Sequence, residues 1–243
     1  FLPMPRIPLP LRGIENEKAV ISGADYRHIV KSLRLGVGDE VTLFGGDSWE
    51  YTGVISSVGS RELVIDITGN RLIAADPVID ITILQGLPKG EKMDYIVEKA
   101  TELGAARIVP VVTERSQVRK TGKHQRWERI ALEASKQCGR TKPTVIENTL
   151  EFKEALLFKD KSDLAIILHT ESSLSMKEFI KNTLQGAKNI IVLIGPEGGF
   201  SQNEVLLAIE MGFTSLGLGP RILRTETASL AVLSIIQFQH GDL

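Results

Sequence analysis

The stretch IIVLIGPEGGFSQNE, residues 190–204, joins an apolar run to a helix start signal. The run 190–194 is typical of a strand that is buried on both faces. Ser201 and Glu204 have the S-x-x-E spacing of a capping box, so a helix is predicted to follow and to end near Gly212. The glycine-rich turn between them lets a ligand approach the backbone closely, although a purely structural turn is the alternative. It is neither a P-loop nor a GxGxxG motif.

The stretch LGLGPRILRTETA, residues 216–228, has the same arrangement. A predicted strand, 216–218, runs into a glycine-containing loop and then into a predicted helix. A third loop, 169–172, follows another predicted strand. Loops at the carboxyl ends of neighbouring parallel strands share one crevice, so a single ligand site is predicted. The competing interpretation is that the arginines cap carbonyls, the threonines cap the helix and His169 only forms a hydrogen bond.

From residue 78 onward, predicted strands alternate with predicted helices, which indicates a mainly parallel α/β sheet with helices on its faces. The predicted strands are 78–84, 107–112, 164–168, 190–194 and 216–218, and the predicted helices include 92–103, 125–138 and 225–239. The last helix is apolar nearly all round, so we expect it to be buried in the domain or against a second subunit.

The N-terminal part of the chain shows period-two alternation with frequent turn signals. Predicted here are strands at 41–44, 50–55 and 63–68, a helix at 25–33 and turns at 36–39, 45–47 and 59–60. Strands this close together suggest a small β-barrel, and the proline-rich residues 1–11 suggest an extended strand. Turn residues at 70–77 mark a boundary, so we predict a barrel domain at 1–73 and an α/β domain at 74–243.

The composition argues against several classes of protein. Of the 243 residues, 42% are hydrophobic and 24% are charged, as in an ordinary globular protein. Cys138 is the only cysteine and the four histidines are scattered, so we expect neither a disulfide framework nor a metal site. No apolar run reaches the ~18 residues that span a membrane, and the start lacks a signal-peptide layout. These features favour a cytoplasmic protein.

The formal net charge is −1, but the basic residues are unevenly distributed. Residues 113–143 contain nine Lys and Arg against three acids, and residues 1–35 contain six against three. Such asymmetry fits a protein that contacts a phosphate backbone with part of its surface, although a solvated basic face would give the same pattern.

The two loop stretches, in this order, resemble the second and third motifs of the SPOUT superfamily of methyltransferases. From about residue 14 to residue 239, the chain resembles the bacterial 16S ribosomal RNA uracil-N3 methyltransferases. The further matching stretches are HIVKSLR (28–34), KMD (92–94), KATELG (99–104) and EASKQCGR (133–140). The combination of GPEGGFS with LG-x-RILRTETA is specific to that family.

The resemblance implies an N-terminal PUA-like barrel that binds RNA, a C-terminal domain with a deep trefoil knot, and a homodimer whose interface includes the last helix. It also implies S-adenosylmethionine as the methyl donor and 16S ribosomal RNA of the small ribosomal subunit as the partner. The residues predicted to contact the donor are Leu168, His169, Thr170, Gly195, Pro196, Glu197, Gly198, Leu216, Leu218, Gly219, Ile222, Leu223, Thr225, Thr227 and Ala228.

Methylation of uridine N3 needs help because this nitrogen carries a proton and is a poor nucleophile until the proton leaves. We predict that Arg224 stabilises the uracil anion at a carbonyl oxygen, and that Glu197 orients its loop or assists proton removal. The target base must be unpaired or flipped out of its helix. The residues predicted to contact RNA are Arg6, His28, Arg34, Arg115, Arg126, Lys136 and Arg140.

Two other functions remain open at this point. One is an RNA methyltransferase of the same superfamily with another target, such as a ribose 2′-oxygen. The other is a non-catalytic RNA-binding assembly factor, which would not bind S-adenosylmethionine. A nucleotide hydrolase has little support, because the sequence contains no phosphate-binding lysine motif and no paired metal carboxylates.

Overall fold

The computed structural model describes residues 5–9, 13–44, 49–72, 78–119, 121–183 and 186–243, with the side chains of 180–183 excepted. The turn predicted at 45–47 and part of the boundary predicted at 70–77 lie outside these residues. The chain forms two compact units, Phe1–Asp76 with Ser135–Pro143, and Pro77–Ala134 with Thr144–Leu243. The sequence did not predict that 135–143 would join the first unit. The domain division at 73/74 stays a prediction.

The first unit contains a five-stranded sheet in the order β1-β3-β4-β5-β2. Its strands are β1 (Arg6–Pro8), β2 (Lys18–Ser22), β3 (Glu40–Phe44), β4 (Trp49–Val58) and β5 (Glu62–Leu72). All pairs are antiparallel except β1 with β3. The three strands predicted here are confirmed, and each is longer than predicted.

The sheet of the first unit is curled by irregularities in its longest strand pair. The register between β4 and β5 shifts between Thr52 and Gly53 and again between Ile55 and Ser57. Such bulges bend a strand and increase its twist. At Gly53 a Cβ would lie 2.5 Å from the Ile65 side chain, so glycine is needed where the strands come close. This curled sheet corresponds to the predicted barrel.

The helix predicted at 25–33 is a composite. An α-helix, α1 (Gly23–Arg27), continues into one π-helical stretch over His28–Ser32. Arg34 follows with a φ of +58°, a left-handed conformation that ends the helical path. Periodicity cannot distinguish an α-turn from a π-turn over so few residues, which is why a single helix was predicted.

The second unit contains a parallel sheet in the order β12-β10-β11-β6-β7-β8, with β9 also paired to β7. The strands are β6 (Asp80–Gly86), β7 (Ala105–Val112), β8 (Val145–Ile146), β9 (Leu150–Glu151), β10 (Leu164–Leu168), β11 (Asn189–Ile194) and β12 (Thr214–Leu216). The helices are α2 (Lys92–Glu102), α3 (His124–Cys138), α4 (Phe152–Leu156), α5 (Met176–Thr183), α6 (Gln202–Glu210) and α7 (Thr225–His240), with a 3₁₀ helix at Leu157–Lys161. Residues 135–138 of α3 belong to the first unit.

Each face of this parallel sheet packs into its own apolar core. Ile190 and Val192 of β11 belong to a cluster that includes residues of α2 and α7. Ile191 and Leu193 belong to a second cluster, with residues of α4 and α6. Successive side chains of a strand point to opposite faces, so a strand covered on both faces is apolar throughout. The predicted α/β architecture of this unit is therefore confirmed.

Helix α7 is less buried in the single chain than its apolar sequence suggests. Val232, Leu233 and Ile236 are fully buried, but Phe238 is 76% exposed and Ile235 is partly exposed. Within the described part of the chain, the expectation of burial inside the domain therefore holds for one face of α7 only. No helix of the described residues is long and apolar enough to cross a membrane.

Candidate active site

The three predicted loops border one cavity of about 480 Å³ in the second unit. They follow β10, β11 and β12, which are parallel neighbours in the sheet, so their carboxyl ends meet at one edge. The volume lies within the range of ordinary small-molecule sites. The predicted residues that line the cavity are Leu168, His169, Thr170, Gly195, Pro196, Glu197, Gly198, Leu216, Leu218, Gly219, Ile222, Leu223, Arg224, Thr225 and Ala228.

The residues that line the cavity differ in part from those that the sequence predicted. Thr227 is exposed on the first turn of α7 and lies outside the cavity lining, since it points to a different side of the helix from Ala228. Arg115, which we predicted to contact RNA, lines the cavity. The other lining residues that the sequence analysis missed are Glu171, Ile194, Gly199, Phe200, Gln202 and Arg221. Arg221 lies in the second loop motif, so its sequence signal was available.

Thr225 connects two walls of the cavity. Its hydroxyl donates a 2.6 Å hydrogen bond to the Gly195 carbonyl and accepts a 2.9 Å bond from Nε2 of Gln85. The Ser229 hydroxyl lies 2.6 Å from Oε1 of Gln85 and 2.9 Å from the Thr225 carbonyl. A buried polar network thus joins the end of β6, the loop after β11 and the first turn of α7. The sequence analysis did not identify Gln85, because the strand was predicted to end at residue 84.

Gly86 allows the first loop to pass close to the end of β6. A Cβ at Gly86 would lie 2.6 Å from Cδ of Pro196 and 2.7 Å from its nitrogen. Backbone atoms cannot yield as a flexible side chain can, so any larger residue would push the loop 195–200 outward. The position of this cavity wall therefore depends on a glycine outside both loop motifs.

Glu197 is held by cations and amides from the start of α2. Lys92 donates to Oε1 of Glu197 at 2.7 Å, and the Lys89 amide donates to the same oxygen at 3.1 Å. Burial alone would raise the pKa of Glu197, but the hydrogen bonds from Lys92 and from the backbone amides of Glu197 and Lys89 outweigh it and lower the pKa. A carboxylate stabilised in its ionised form is a weak base, so this geometry favours the orienting role over proton removal.

Arg224 is the residue that precedes α7, and its side chain is exposed at the cavity. Its backbone is extended and its carbonyl accepts the Ala228 amide at 2.8 Å, which starts the helix. The guanidinium can offer several N–H groups in one plane to an oxygen anion. Arg221, also exposed, lines the same cavity. The second loop therefore brings two cations to the ligand site.

The segment after β7 is fastened to the first cavity loop. The Arg115 guanidinium donates to the Gly198 carbonyl at 3.0 Å, and the Glu114 amide donates to Oε1 of Glu204 at 2.8 Å. Glu204 also accepts the Ser201 amide at 2.9 Å, which confirms the predicted capping box. One buried carboxylate thus stabilises both the start of α6 and the basic segment beside the cavity.

The residues predicted to contact RNA do not share one environment. His28 and Arg34 are exposed, and Arg126 is exposed but forms an ion pair of 2.7 Å with Asp94. Lys136 is partly buried beside Asp25, at 3.7 Å. Arg140, which was also predicted to contact RNA, is only 4% exposed, so it is not part of an exposed basic surface. It follows the end of α3 at Cys138.

Arg6 is engaged in the first unit. Its guanidinium lies 2.7 Å from Glu50, donates to the Gly139 carbonyl at 3.0 Å and sits 5.2 Å from the centre of the Phe44 ring. Arg71 forms a second ion pair with Glu50, whose side chain is 2% exposed. A buried carboxylate needs such partners, so the geometry indicates a structural role for Arg6.

Comparisons with known proteins agree with this fold and site. Residues 75–237 match the family model of an RNA methyltransferase domain, and residues 21–68 match that of an RNA methyltransferase PUA domain. The chain is therefore an RNA methyltransferase by class. A Bacillus subtilis relative, ribosomal RNA small subunit methyltransferase E, is 34% identical over 90% of this chain and 89% of its own length. Its Aquifex aeolicus counterpart is 37% identical over 76% and 80%, respectively. The chain belongs to the ribosomal RNA small subunit methyltransferase E family.

Solved structures extend the similarity over nearly the whole chain. The Neisseria gonorrhoeae ribosomal RNA small subunit methyltransferase E, bound to S-adenosyl methionine, has a TM-score of 0.87 and 29% identity, with 99% of both chains covered. A Legionella pneumophila protein in complex with the bound cofactor SAM has a TM-score of 0.88 and 32% identity, again with 99% coverage of both.

Proposed function

We propose that the chain transfers a methyl group from S-adenosylmethionine to N3 of a uridine in 16S ribosomal RNA. The observation that carries this proposal is the cavity bordered by the loops GPEGGFS and LGPRILRTETA, with Arg224 at its edge. Relatives solved with the same donor support the choice of donor. Ribosomal RNA as the substrate follows from membership of the family.

The residues of the cavity suit S-adenosylmethionine, which is a partly apolar cation carrying a reactive methyl group on its sulfur. Leu168, Leu218 and Leu223 give apolar walls, as a purine ring requires. Gly219 has a φ of +101° and open space where a Cβ would stand, so a ligand can approach its backbone. When bound, the donor supplies an electrophilic methyl group, and the protein supplies position and charge.

Arg224 is the residue that we assign to the uracil. Loss of the N3 proton spreads negative charge over the two carbonyl oxygens of the base, and a guanidinium can donate hydrogen bonds to an oxygen that carries this charge. Arg224 lines the cavity directly before α7, where its backbone is extended. Glu197 holds the loop 195–200 through Lys92 and does not accept the proton.

RNA binding is assigned to exposed polar and basic side chains. His28 begins the π-helical stretch of the first unit and Arg34 follows it, and both are exposed. Phosphate contacts of this kind dominate affinity without reading sequence. The base to be methylated must leave its pairing partner, because N3 takes part in Watson–Crick pairing.

Three further properties belong to the same proposal. The exposed face of α7 with Ile235 and Phe238 favours a homodimer, because large apolar side chains in one place mark interaction surfaces. Membership of the family favours a trefoil knot in the second unit. A cytoplasmic location suits a substrate that is ribosomal RNA.

The first experiment is methylation of small-subunit ribosomal RNA with labelled S-adenosylmethionine, followed by mass spectrometry of the nucleosides. A peak of 3-methyluridine is expected. A different methylated nucleoside would contradict the assigned atom and keep the enzyme class. Absence of donor binding together with absence of incorporation, into naked RNA and into assembled subunits, would favour a non-catalytic assembly factor.

A further inference from the structure

Gln85 is a buried polar residue of the second unit. It lies next to the last residue of β6 and its exposure is 0%. Burying an amide is costly unless its hydrogen bonds are replaced. Here they are replaced, since Nε2 donates to the Gly86 carbonyl at 3.0 Å and to the Thr225 hydroxyl at 2.9 Å, while Oε1 accepts from Ser229.

The partners fix the direction of the bonds that Gln85 forms. The Gly86 carbonyl can only accept, so the group of Gln85 that faces it must be the amide nitrogen. That nitrogen can only donate, so the Thr225 hydroxyl accepts from it and keeps its own proton for the Gly195 carbonyl. A flipped amide would set two oxygens against each other. Gln85 therefore determines where the Thr225 proton points.

We propose that Gln85 is a positioning residue for the donor cavity. By orienting the Thr225 hydroxyl, it fixes the loop 195–200 against the start of α7, and these are two walls of the cavity. Gln85 does not line the cavity and acts on it through its bond to Thr225. This inference rests on the proposed function, because the ligand of the cavity is S-adenosylmethionine.

One buried hydroxyl joins two cavity walls, the loop 195–200 and the start of α7. A buried hydrogen-bond network is worth most when every member is satisfied, and it loosens as a unit when one member is lost. Residues that support a ligand site must hold it to within a fraction of an ångström. Without Gln85, the Thr225 hydroxyl could rotate away from Gly195, and the loop 195–200 would lose its direct hydrogen bond to α7.

The test compares Gln85→Met with Thr225→Val and with the double variant. Methionine matches glutamine in length and lacks its hydrogen bonds, and valine matches threonine in shape. Each single variant is expected to weaken S-adenosylmethionine binding by about tenfold in calorimetry, and the double variant should be no weaker than the worse single one. Amide hydrogen exchange in 195–200 of the free protein should accelerate in all three.

The matched control is Thr101→Val in α2. Thr101 is also fully buried, and its hydroxyl donates to the Val97 carbonyl at 2.8 Å, but it does not line the cavity. This variant should lose stability without weakening donor binding or accelerating exchange at 195–200. Ser229→Ala, which leaves both donor bonds of Gln85 in place, should give a smaller defect than Gln85→Met.

Several results would overturn the positioning role. The role is refuted if Gln85→Met has the same donor affinity and the same amide exchange at 195–200 as the Thr101→Val control. It is also refuted if the losses of donor affinity in the two single variants add up in the double variant. If Gln85→Met does not fold, unchanged exchange at 195–200 in Thr225→Val overturns the role equally. Failure of the proposed function looks different, because the wild-type protein would then neither bind S-adenosylmethionine nor methylate RNA, while the exchange measurement would still report on Gln85.

Discussion

Lys92 Nζ lies 2.7 Å from Glu197 Oε1, so the first residue of α2 holds the carboxylate of a cavity loop. The two residues are 105 positions apart in the chain. Their contact joins the connection after β6 to the loop after β11, and it adds to the fastening that Thr225 provides on the other side of that loop. Both residues are about one-third exposed, so their attraction is moderated by solvent.

Replacing Glu197 by glutamine should weaken donor binding moderately. The variant keeps the shape of the side chain but loses the charge that Lys92 and the Lys89 amide stabilise. A partly exposed ion pair contributes about 1 kcal/mol at most, which corresponds to roughly a fivefold change in affinity. Calorimetry with S-adenosylmethionine measures this change in affinity. Lys99→Met is the control, since Lys99 pairs with Glu98 and Glu102 of the same helix, and a defect of equal size there would refute the assignment.

Glu197 should make no contribution to the pH dependence of donor binding near neutrality. Its pKa is lowered from 4.5, so the carboxylate is ionised in the folded protein, and its stabilising effect is present above pH 4.5 and lost only as pH falls through that lower value. The affinity ratio of wild type to Glu197→Gln should therefore be constant between roughly pH 5.5 and 8. A ratio that changed within this range would indicate a raised pKa and restore Glu197 as a candidate base.

Arg224→Ala should reduce the rate of methyl transfer by about 10²-fold with little change in donor binding, because stabilisation of the uracil anion is needed only during the reaction. Arg224→Lys should recover part of the rate, since it restores the charge without the planar fork. Single-turnover kinetics measure both. The deficit of Arg224→Ala should narrow at higher pH, where uridine loses its N3 proton more readily. A rate within about threefold of wild type would exclude the role.

Arg6→Ala should destabilise the protein by about 2 kcal/mol, because it removes an ion pair and leaves part of a buried carboxylate unsatisfied. Glu50 would keep only Arg71, and the Gly139 carbonyl would lose its donor. Denaturant unfolding measures the change. If Arg6 contacted RNA phosphate instead, stability would be unchanged, and the salt dependence of RNA binding would fall by about one unit of slope.

Arg34→Ala should lower the salt slope of RNA binding more than Arg126→Ala does. The Arg34 side chain is exposed, whereas Arg126 already donates to Asp94 through Nε at 2.8 Å. Binding of 16S ribosomal RNA fragments at several salt concentrations gives the slopes. Equal salt slopes for Arg34→Ala and Arg126→Ala would show that Arg126 contacts phosphate in spite of its ion pair with Asp94.

The two glycine-containing loops of the site were predictable from sequence because each combines an apolar strand, glycines and a helix start within a short stretch. Ser201 and Glu204 even gave the cap of α6 correctly. Gln85 was not predictable in this way, since a single polar residue at the end of an apolar strand has no pattern. Its role depends on hydrogen bonds with Thr225 and Ser229, which lie more than a hundred residues away in the sequence.

Charge patterns were a weaker guide than the loop motifs. Arg6 and Arg140 were counted as surface cations, but one is paired with Glu50 and the other is buried. An arginine in the sequence carries no sign of whether a distant carboxylate or carbonyl will satisfy it. The partners come from other strands and from the stretch after α3, and only the folded chain brings them together.

The return of Ser135–Pro143 to the first unit has an evolutionary and practical consequence. Neither unit is a single uninterrupted stretch of the gene product, because the nine residues that complete one are encoded within the other. A fragment that ended near residue 76 would lack Gly139, which belongs to the first unit and whose carbonyl accepts a hydrogen bond from Arg6. Exchange of one unit between relatives would therefore also need to exchange residues 135–143. Recombination should keep both units from the same relative.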